Sequence, residues 1–359
     1  MAGIYVHFPY CQNRCIYCDF YSRVRRDWDK YVDALLCEIA ARKDFLKGVP
    51  PRTLYFGGGT PSLLPYSQLS RVVEGLRENF DLSEIEEFTI ECNPDDISPE
   101  KASELRLLGA SRISMGVQSF CDAHLKWMRR RHTAEDARRA FLSLRAAGFD
   151  NISIDLIFGF QGLSDDDWAY SIDEAMKLSP EHISCYQMMG RWASDDEAEC
   201  RKQYLYLAER LSDAGYEHYE ISNYCKPGKA SLHNSSYWTR DAYLGLGAAA
   251  HSFNGERTRS WNVSDLDRYI AERCPNRSGM TYGGTSGISS ETLSDAEADE
   301  ERLMLGLRTS RGVDLSSLVT KKPALDSLVK AGYIIKEYSA IRIPEEHFFV
   351  SDWIISQLF

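Results

Sequence analysis

Short apolar runs alternate with longer amphipathic segments along residues 1–225. The runs are rich in β-branched and aromatic residues, which predicts strands. They are GIYVHF, TLYFGGG, EEFTIECNP, RISMGVQSF, NISIDLIFGF, HISCYQMM and HYEIS. Between them apolar residues recur every three or four positions, as in YSQLSRVVEGLRENF, which predicts helices. Alternating strands and helices form right-handed βαβ units around a parallel sheet. The pattern therefore predicts an α/β fold, a partial or full parallel (β/α) TIM-like barrel with its reactive groups at the carboxyl ends of the strands.

The pattern changes after residue 225. Residues 226–290 form a loop-rich connecting segment, and the polar stretch GGTSGISSETLS at its end is typical of a linker or a surface loop. Residues 291–359 show two amphipathic segments, a short hairpin pattern and a last amphipathic segment. We therefore expect three parts: a barrel core over residues 1–225, the connecting segment, and a small α+β, winged-helix-like C-terminal module.

Composition excludes several classes of protein. The chain has 359 residues, 43% of them hydrophobic, and a formal net charge of -11. An acidic chain is a poor binder of nucleic acid, because that binding depends on cations that neutralise phosphates. No stretch has the length of a membrane span, and MAGIYVHFPY lacks the basic and apolar regions of an export signal. We expect a cytoplasmic protein that does not bind nucleic acid and does not span a membrane.

Three of the ten cysteines stand within eight residues, at Cys11, Cys15 and Cys18, and the other seven are scattered singly. A structural zinc site needs four ligands, and no second cluster of cysteine and histidine is evident. A thioredoxin-like pair, C-I-Y-C, leaves Cys11 unexplained. Three thiolates suit an iron–sulfur cluster in which one iron is open to another ligand, and reduced structural thiols are the alternative.

The C-x-x-x-C-x-x-C spacing after the first predicted strand closely resembles the radical S-adenosylmethionine (SAM) family. The resemblance implies a 4Fe-4S cluster on Cys11, Cys15 and Cys18, with SAM on the fourth iron. It also implies that an electron from the cluster splits SAM to a deoxyadenosyl radical.

Motifs at the ends of successive predicted strands agree with this resemblance. The run GGGTP offers bare backbone to a ligand, although a tight turn explains it equally well. In the family an acid at the position of Glu91 binds the ribose hydroxyls, and the alternative is a helix-capping or surface carboxylate. Members of the family also place an aromatic residue at the position of Tyr17, beside the adenine of SAM. The resemblance implies SAM contacts at Tyr5, Tyr17, Gly58, Gly59, Thr60, Glu91, Gln118, Arg130 and Asp155.

The resemblance narrows to the oxygen-independent coproporphyrinogen III oxidase branch and covers nearly the whole chain. The true oxidases carry a fourth cysteine two residues after the third, where this chain has Phe20, and a long extension before the cysteine loop. This chain instead has HNSSYW, the signature of the heme-chaperone subtype, which implies heme contacts at His233, Tyr237 and Trp238. From the residues alone, His233 is better explained as a histidine that packs the joint between barrel and C-terminal module. His251, in GLGAAAHSF, is a second candidate ligand for heme iron.

Two functions follow from the resemblance. The first is a heme chaperone that binds heme and a SAM-liganded cluster, passes heme to an acceptor protein and receives electrons from a donor. The second is a radical SAM oxidoreductase that decarboxylates coproporphyrinogen III or opens the heme ring, and the missing fourth cysteine weighs against it. GFQGLS departs from the usual family sequence, and the segment after HISCYQMM is shorter than usual, so substrate geometry at the barrel mouth is open. No catalytic residue is assigned.

Overall fold

The computed structural model describes residues 1–24, 27–273, 287–318 and 324–359. Its centre is a run of six parallel strands in which each strand pairs with the next along the chain. These strands are β1 (Ala2–Phe8), β2 (Thr53–Gly58), β3 (Glu87–Cys92), β4 (Arg112–Gln118), β5 (Ile152–Phe158) and β6 (His182–Gln187). All six were predicted, because apolar residues of one face lie against helices while the alternate residues face inward.

Helices connect these strands and cover the outer face of the sheet. They are α1 (Trp28–Ala41), α2 (Tyr66–Asn79), α3 (Pro99–Leu107), α4 (Asp122–Trp127), α5 (Ala134–Ala146), α6 (Asp165–Leu178) and α7 (Glu197–Asp213). Capping residues in the sequence mark where two of these helices begin. Thr133 and Asp136 form a capping box at the start of α5, and Ser164 caps α6. Among the helices in the described parts of the chain, none is both long and apolar enough to cross a bilayer.

Further strands extend the sheet on both sides. Beside β6 lie the antiparallel strands β7 (Glu217–Glu220) and β8 (Asn223–Cys225). On the other side β9 (Ala242–Leu246) pairs in parallel with β1, and β10 (His251–Phe253), β11 (Thr258–Asn262) and β12 (Ile288–Thr292) follow antiparallel. The terminal strands β7 and β12 do not pair with each other over the described residues, so the barrel is partial.

The connecting segment therefore contains more regular structure than the loop-rich segment that its composition predicted. It contains α8 (Leu232–Trp238), α9 (Leu266–Arg273) and three strands of the large sheet, and the stretch predicted to be a linker supplies the edge strand Ile288–Thr292. Residues 283–286 of that stretch lie outside the described part of the chain. The prediction failed because small residues such as Gly245 allow close backbone packing in β9, which pairs with the buried strand β1. The three domain boundaries stay a prediction.

The C-terminal part has the predicted composition of elements. Helices α10 (Asp295–Gly306), α11 (Leu325–Lys330) and α12 (Ser351–Ser356) surround a small antiparallel sheet. Its strands are β13 (Val313–Asp314), β14 (Ile335–Glu337) and β15 (Ala340–Arg342), in the order β13-β15-β14. The predicted fold class, an α/β partial barrel with a small α+β module, is confirmed.

Candidate functional site

A cavity of about 590 Å³ opens at the carboxyl ends of the parallel strands, between them and the loop that follows β1. Such strand ends collect side chains that are distant in sequence, which is why barrel proteins place their sites there. The lining includes the three cysteines of the loop and eight of the nine predicted SAM contacts: Tyr17, Gly58, Gly59, Thr60, Glu91, Gln118, Arg130 and Asp155.

Tyr5 is the predicted contact that does not line the cavity. It lies one layer deeper in the barrel, where its hydroxyl donates to Nδ1 of His7 at 3.0 Å. The His7 ring is fixed on its other side, because Nε2 donates to the carbonyl oxygen of Tyr21 at 2.9 Å. Burial lowers the pKa of His7 to about 4, so this ring is neutral at neutral pH. In this structure Tyr5 supports the wall of the cavity through His7.

Hydrogen bonds hold the cysteine loop over the mouth of the cavity. The backbone N–H of Cys11 donates to the carbonyl of Arg23 at 3.1 Å, and the Asn13 side chain donates to the carbonyl of Arg129 at 3.2 Å. Two thiols also meet donors from the barrel. Thr60 Oγ1 donates to Cys11 Sγ, and a guanidinium nitrogen of Arg130 donates to Cys15 Sγ, both at 3.6 Å.

The donor set fits an iron–sulfur cluster better than a single metal ion. Within the described residues, no three His, Cys, Asp or Glu side chains are grouped closely enough to bind one ion. A cluster takes one thiolate for each iron, so its ligands stand farther apart than those of one ion. Burial raises the pKa of the Cys18 thiol to about 11, and the thiol therefore needs a strong cationic partner to lose its proton. These features agree with three thiols that would each bind one iron of a cluster.

Glu91 is positioned by two donors at the end of β3. Tyr55 donates its hydroxyl proton to Oε1 at 2.8 Å, and the backbone N–H of Gly58 donates to Oε2 at 3.0 Å. Only glycine fits at position 57, because a Cβ there would lie 2.9 Å from the Glu91 carboxyl carbon. Burial raises the pKa of Glu91 to about 7, against the effect of these donors. The result is a fixed acceptor for hydroxyl groups, with an oxygen toward the cavity.

Arg130 joins the wall of β4 to the cysteine loop. Its guanidinium donates to Asn93 Oδ1 at 2.6 Å and to the carbonyl of Gly116, and it also reaches the Tyr17 hydroxyl at 3.4 Å. A Cβ at Gly116 would approach the Gln118 amide to 2.8 Å and Arg130 to 3.4 Å. The glycine in GVQSF thus makes room for both side chains.

Asp155 lies at the middle of the barrel on β5. The Ser114 hydroxyl lies 3.3 Å from each of its carboxylate oxygens, and burial raises the pKa of the aspartate. The Ser153 hydroxyl lies 3.5 Å from Oδ1, so serine hydroxyls of β4 and β5 hold the carboxyl at the cavity.

Sequence reasoning missed several polar residues of the lining, among them Tyr55, Asn93, Ser114 and Asn234. The period-two alternation of strands could have found two of them, since Tyr55 precedes Gly57 by two positions and Ser114 precedes Gly116 by two. Asn234 could not be found this way, because it reaches the floor of the cavity from α8.

The histidine of HNSSYW lies at the opposite, amino end of the strands. His233 is fully buried, and its ring nitrogens are hydrogen bonded to Thr53 Oγ1 and to the Tyr237 hydroxyl, both at 2.8 Å. Its ring stacks on Tyr55 at 4.9 Å between centroids, and burial lowers its pKa to about 3. Neither His233 nor Tyr237 nor Trp238 lines the cavity. Heme ligation by His233 stays a prediction, and it requires α8 to leave the barrel floor, since both nitrogens are engaged here.

The outer rim of the cavity is apolar and exposed. Phe20 is 65% exposed, Tyr186 44% and Met189 76%, and all three line the mouth. Exposed large apolar groups around a cavity are typical of a surface that binds an apolar ligand or a partner.

Comparison with known proteins identifies the family. Residues 5–175 match the model of the radical SAM superfamily. The heme chaperone HemW of Bacillus subtilis is 32% identical over 96% of each chain, and that of Escherichia coli is 33% identical over 69% of each chain.

One solved structure shows the same fold. Coproporphyrinogen III oxidase HemN from Escherichia coli, described as a radical SAM enzyme, superposes with a TM-score of 0.82. The match covers 99% of this chain and 89% of that one at 22% identity. This likeness shows the fold, and the sequence matches show that the chain belongs to the radical SAM superfamily and, within it, to the HemW family.

Proposed function

We propose that this chain is a heme chaperone that binds heme beside a SAM-liganded 4Fe-4S cluster and passes the heme to an acceptor protein. The observation that carries the proposal is the shared cavity, in which three cysteines of one loop face eight of the nine residues predicted to bind SAM. The heme function is supported by the relatives, which are named heme chaperones and match this chain over most of its length.

In this proposal Cys11, Cys15 and Cys18 would hold three irons of a 4Fe-4S cluster, which when bound would supply an electron to SAM. Arg130 and Thr60 donate hydrogen bonds to two of the sulfurs, which stabilises thiolates over thiols in a buried setting. Glu91 accepts hydrogen bonds from the ribose hydroxyls of SAM.

The backbone of GGGTP bounds the methionine side of the bound SAM. Gly59 lies close to the backbone that leads into the cysteine loop, where its N–H donates to the carbonyl of Phe8 at 2.8 Å. A Cβ at this position would lie 2.6 Å from the carbonyl oxygen of Tyr10.

The apolar rim fits a chaperone role. A macrocycle such as heme exposes wide apolar faces, and Phe20 and Met189 offer exposed apolar surface at the mouth of the cavity. An acceptor protein and an electron donor are the partners that this function needs.

The alternative is a radical SAM oxidoreductase that acts on a porphyrin, and the observation in its favour is the same polar lining. One experiment separates the chaperone from the enzyme. The cluster is reconstituted anaerobically with iron and sulfide, and the chain is then incubated with SAM, reductant and either heme or coproporphyrinogen III. We expect heme to bind without change to the ring, and no decarboxylated product. Stoichiometric 5'-deoxyadenosine together with an altered tetrapyrrole would instead make the chain an enzyme.

A further inference from the structure

Asn93 lies where the third strand ends, and its backbone is held in one conformation. It follows β3 directly and precedes Pro94, which restricts the residue before it to extended backbone; the φ and ψ of Asn93 are -98° and 146°. Its carbonyl oxygen accepts from the N–H of Asp96 at 3.1 Å. The half-buried side chain therefore leaves the strand in a fixed direction, and it lines the cavity together with the cysteine loop.

The Asn93 amide joins two donors that reach the cysteine sulfurs. Its Nδ2 donates to Thr60 Oγ1 at 3.1 Å, and its Oδ1 accepts from a guanidinium nitrogen of Arg130 at 2.6 Å. Thr60 in turn donates to Cys11 Sγ, and Arg130 donates to Cys15 Sγ, both at 3.6 Å. One side chain is thus hydrogen bonded to two groups that contact two of the three cysteines of the loop.

The orientation of the amide decides where the Thr60 proton points. A hydroxyl has one proton, and because Oγ1 accepts from Asn93 Nδ2, that proton is available to Cys11. A flipped amide would turn Nδ2 toward the Arg130 guanidinium, which has donors and no acceptor. Arg130 therefore fixes the amide, and the amide fixes the hydroxyl.

The same contact fixes the Arg130 guanidinium. One terminal nitrogen donates to Asn93 Oδ1 and to the carbonyl of Gly116, and these two bonds use both of its protons. The other terminal nitrogen faces Cys15 Sγ at 3.6 Å and the Tyr17 hydroxyl at 3.4 Å. Because the guanidinium is planar and rigid, holding one nitrogen sets the direction of the other. Asn93 therefore directs a positive charge toward Cys15.

Donors that point at cysteine sulfurs change how readily an iron–sulfur cluster is reduced. Reduction adds negative charge, part of which lies on the sulfurs, so a hydrogen bond or a cation beside them stabilises the reduced form. The reduction potential of the cluster rises accordingly. Thr60 is buried, so its hydroxyl is shielded from competition by water.

We propose that Asn93 is a positioning residue that raises the reduction potential of the 4Fe-4S cluster by aiming Thr60 and Arg130 at the sulfurs of Cys11 and Cys15. The inference rests on the proposed function, because it requires that the cysteine loop hold a cluster. Asn93 itself transfers no electron and no proton. Its amide sets how easily an electron donor reduces the cluster.

A redox titration followed by electron paramagnetic resonance measures the potential. The full chain is reconstituted anaerobically, and SAM is left out because Thr60 and Arg130 are also predicted to contact it. Asn93→Leu keeps a side chain of similar size and removes both hydrogen bonds. We expect it to lower the equilibrium constant for one-electron reduction about tenfold, which is a fall of about 59 mV in midpoint potential. Asn79→Leu is the matched control, since Asn79 donates to the Gly75 carbonyl at the end of α2, and it should keep the wild-type potential.

A double-mutant cycle separates positioning from a loss of packing. In Asn93→Asp the carboxylate still accepts from Arg130, but it accepts from Thr60 as well and draws the hydroxyl proton away from Cys11. Thr60→Val should therefore lower the potential in the wild-type background and leave it unchanged in the Asn93→Asp background. The added negative charge is present in both members of the second pair, so it cancels from the comparison.

The outcomes distinguish this inference from the proposed function. An unchanged midpoint potential in Asn93→Leu, or an equal effect of Thr60→Val in both backgrounds, would overturn the role of Asn93 alone. If Asn93→Leu assembles no cluster, the Asn93→Asp cycle decides. Failure of the wild-type chain to bind iron and sulfide would overturn the proposed function itself.

Discussion

Gly58 offers a sharp test of how the second strand end is built. Its φ is 104°, in the region that L residues avoid, and a Cβ there would lie 2.4 Å from both Cε1 and Nδ1 of His7. His7 cannot swing aside freely, because Tyr5 and the Tyr21 carbonyl hold its two nitrogens at 3.0 and 2.9 Å. Gly58→Ala must therefore strain the backbone and displace the imidazole.

A second glycine with a positive φ, Gly48, separates the cost of backbone strain from the cost of the contact with His7. Forcing an L residue into left-handed backbone costs about 1–2 kcal/mol, and overpacking a fixed interior costs about 1–3 kcal/mol more. We expect Gly58→Ala to lower the free energy of unfolding by about 2–5 kcal/mol. Gly48 also has a positive φ, of 76°, but a Cβ added there would have no atom within 4 Å, so Gly48→Ala should cost only about 1–2 kcal/mol.

Urea unfolding of the apo chain, followed by tryptophan fluorescence and circular dichroism, measures both variants against wild type. The Gly58 variant should also bind SAM more weakly after reconstitution, because the Gly58 N–H that orients Glu91 moves with the backbone. Equal losses of stability in the two variants would refute the claim that contact with His7, rather than backbone conformation alone, requires glycine at this strand end.

Three further perturbations test the site and its surroundings. Cys15→Ser should abolish iron binding after anaerobic reconstitution, whereas Cys37→Ser, at an exposed position of α1, should retain it; iron analysis that finds equal content would contradict the three-thiolate assignment. Because the pKa of Glu91 is raised to about 7, its ionised, accepting form gains population between about pH 6 and pH 8, so wild-type affinity for SAM should rise over that range. Glu91→Gln should bind SAM more weakly and without this rise in calorimetry, and a parallel rise in both proteins would exclude Glu91 as its source. Burial raises the pKa of Glu220 from 4.5 to about 7, so wild-type stability should fall as pH rises between these values. Glu220→Gln keeps an acceptor for Asn223 and should recover about 3 kcal/mol of the lost free energy of unfolding at about pH 8. If the urea midpoint of the variant changes with pH as that of wild type does, Glu220 is not the source of the loss.

Elements with strong periodicity were predictable because their burial is local. The strand predicted from TLYFGGG is Thr53–Gly58, and the helix predicted from YSQLSRVVEGLRENF is Tyr66–Asn79. In each case the spacing of apolar residues shows which face of the element is buried against its neighbours. The element can therefore be predicted without knowing which distant segments pack against it.

The segment after residue 225 shows where this reasoning ends. Strand Ala242–Leu246, AYLGL, is only five residues long, and its pairing with β1 depends on the position of β1 in the finished sheet. His233 was predicted to contact a ligand because of the motif it begins. In the fold it closes the barrel floor, since Glu87, at the start of β3, accepts hydrogen bonds from the backbone N–H groups that begin α8.

The sequence by itself determined the alternation of strands and helices, the three-cysteine spacing and the order of polar motifs at strand ends. These features are local in the chain, and the parallel sheet then brings successive carboxyl ends to one side. The tertiary structure alone decided which polar groups meet: that Asn93 orients Arg130, that His7 limits Gly58, and that His251 remains open while His233 does not. The physical reason is that burial and hydrogen bonding of a side chain depend on the strands and helices packed against it, and these come from distant parts of the chain.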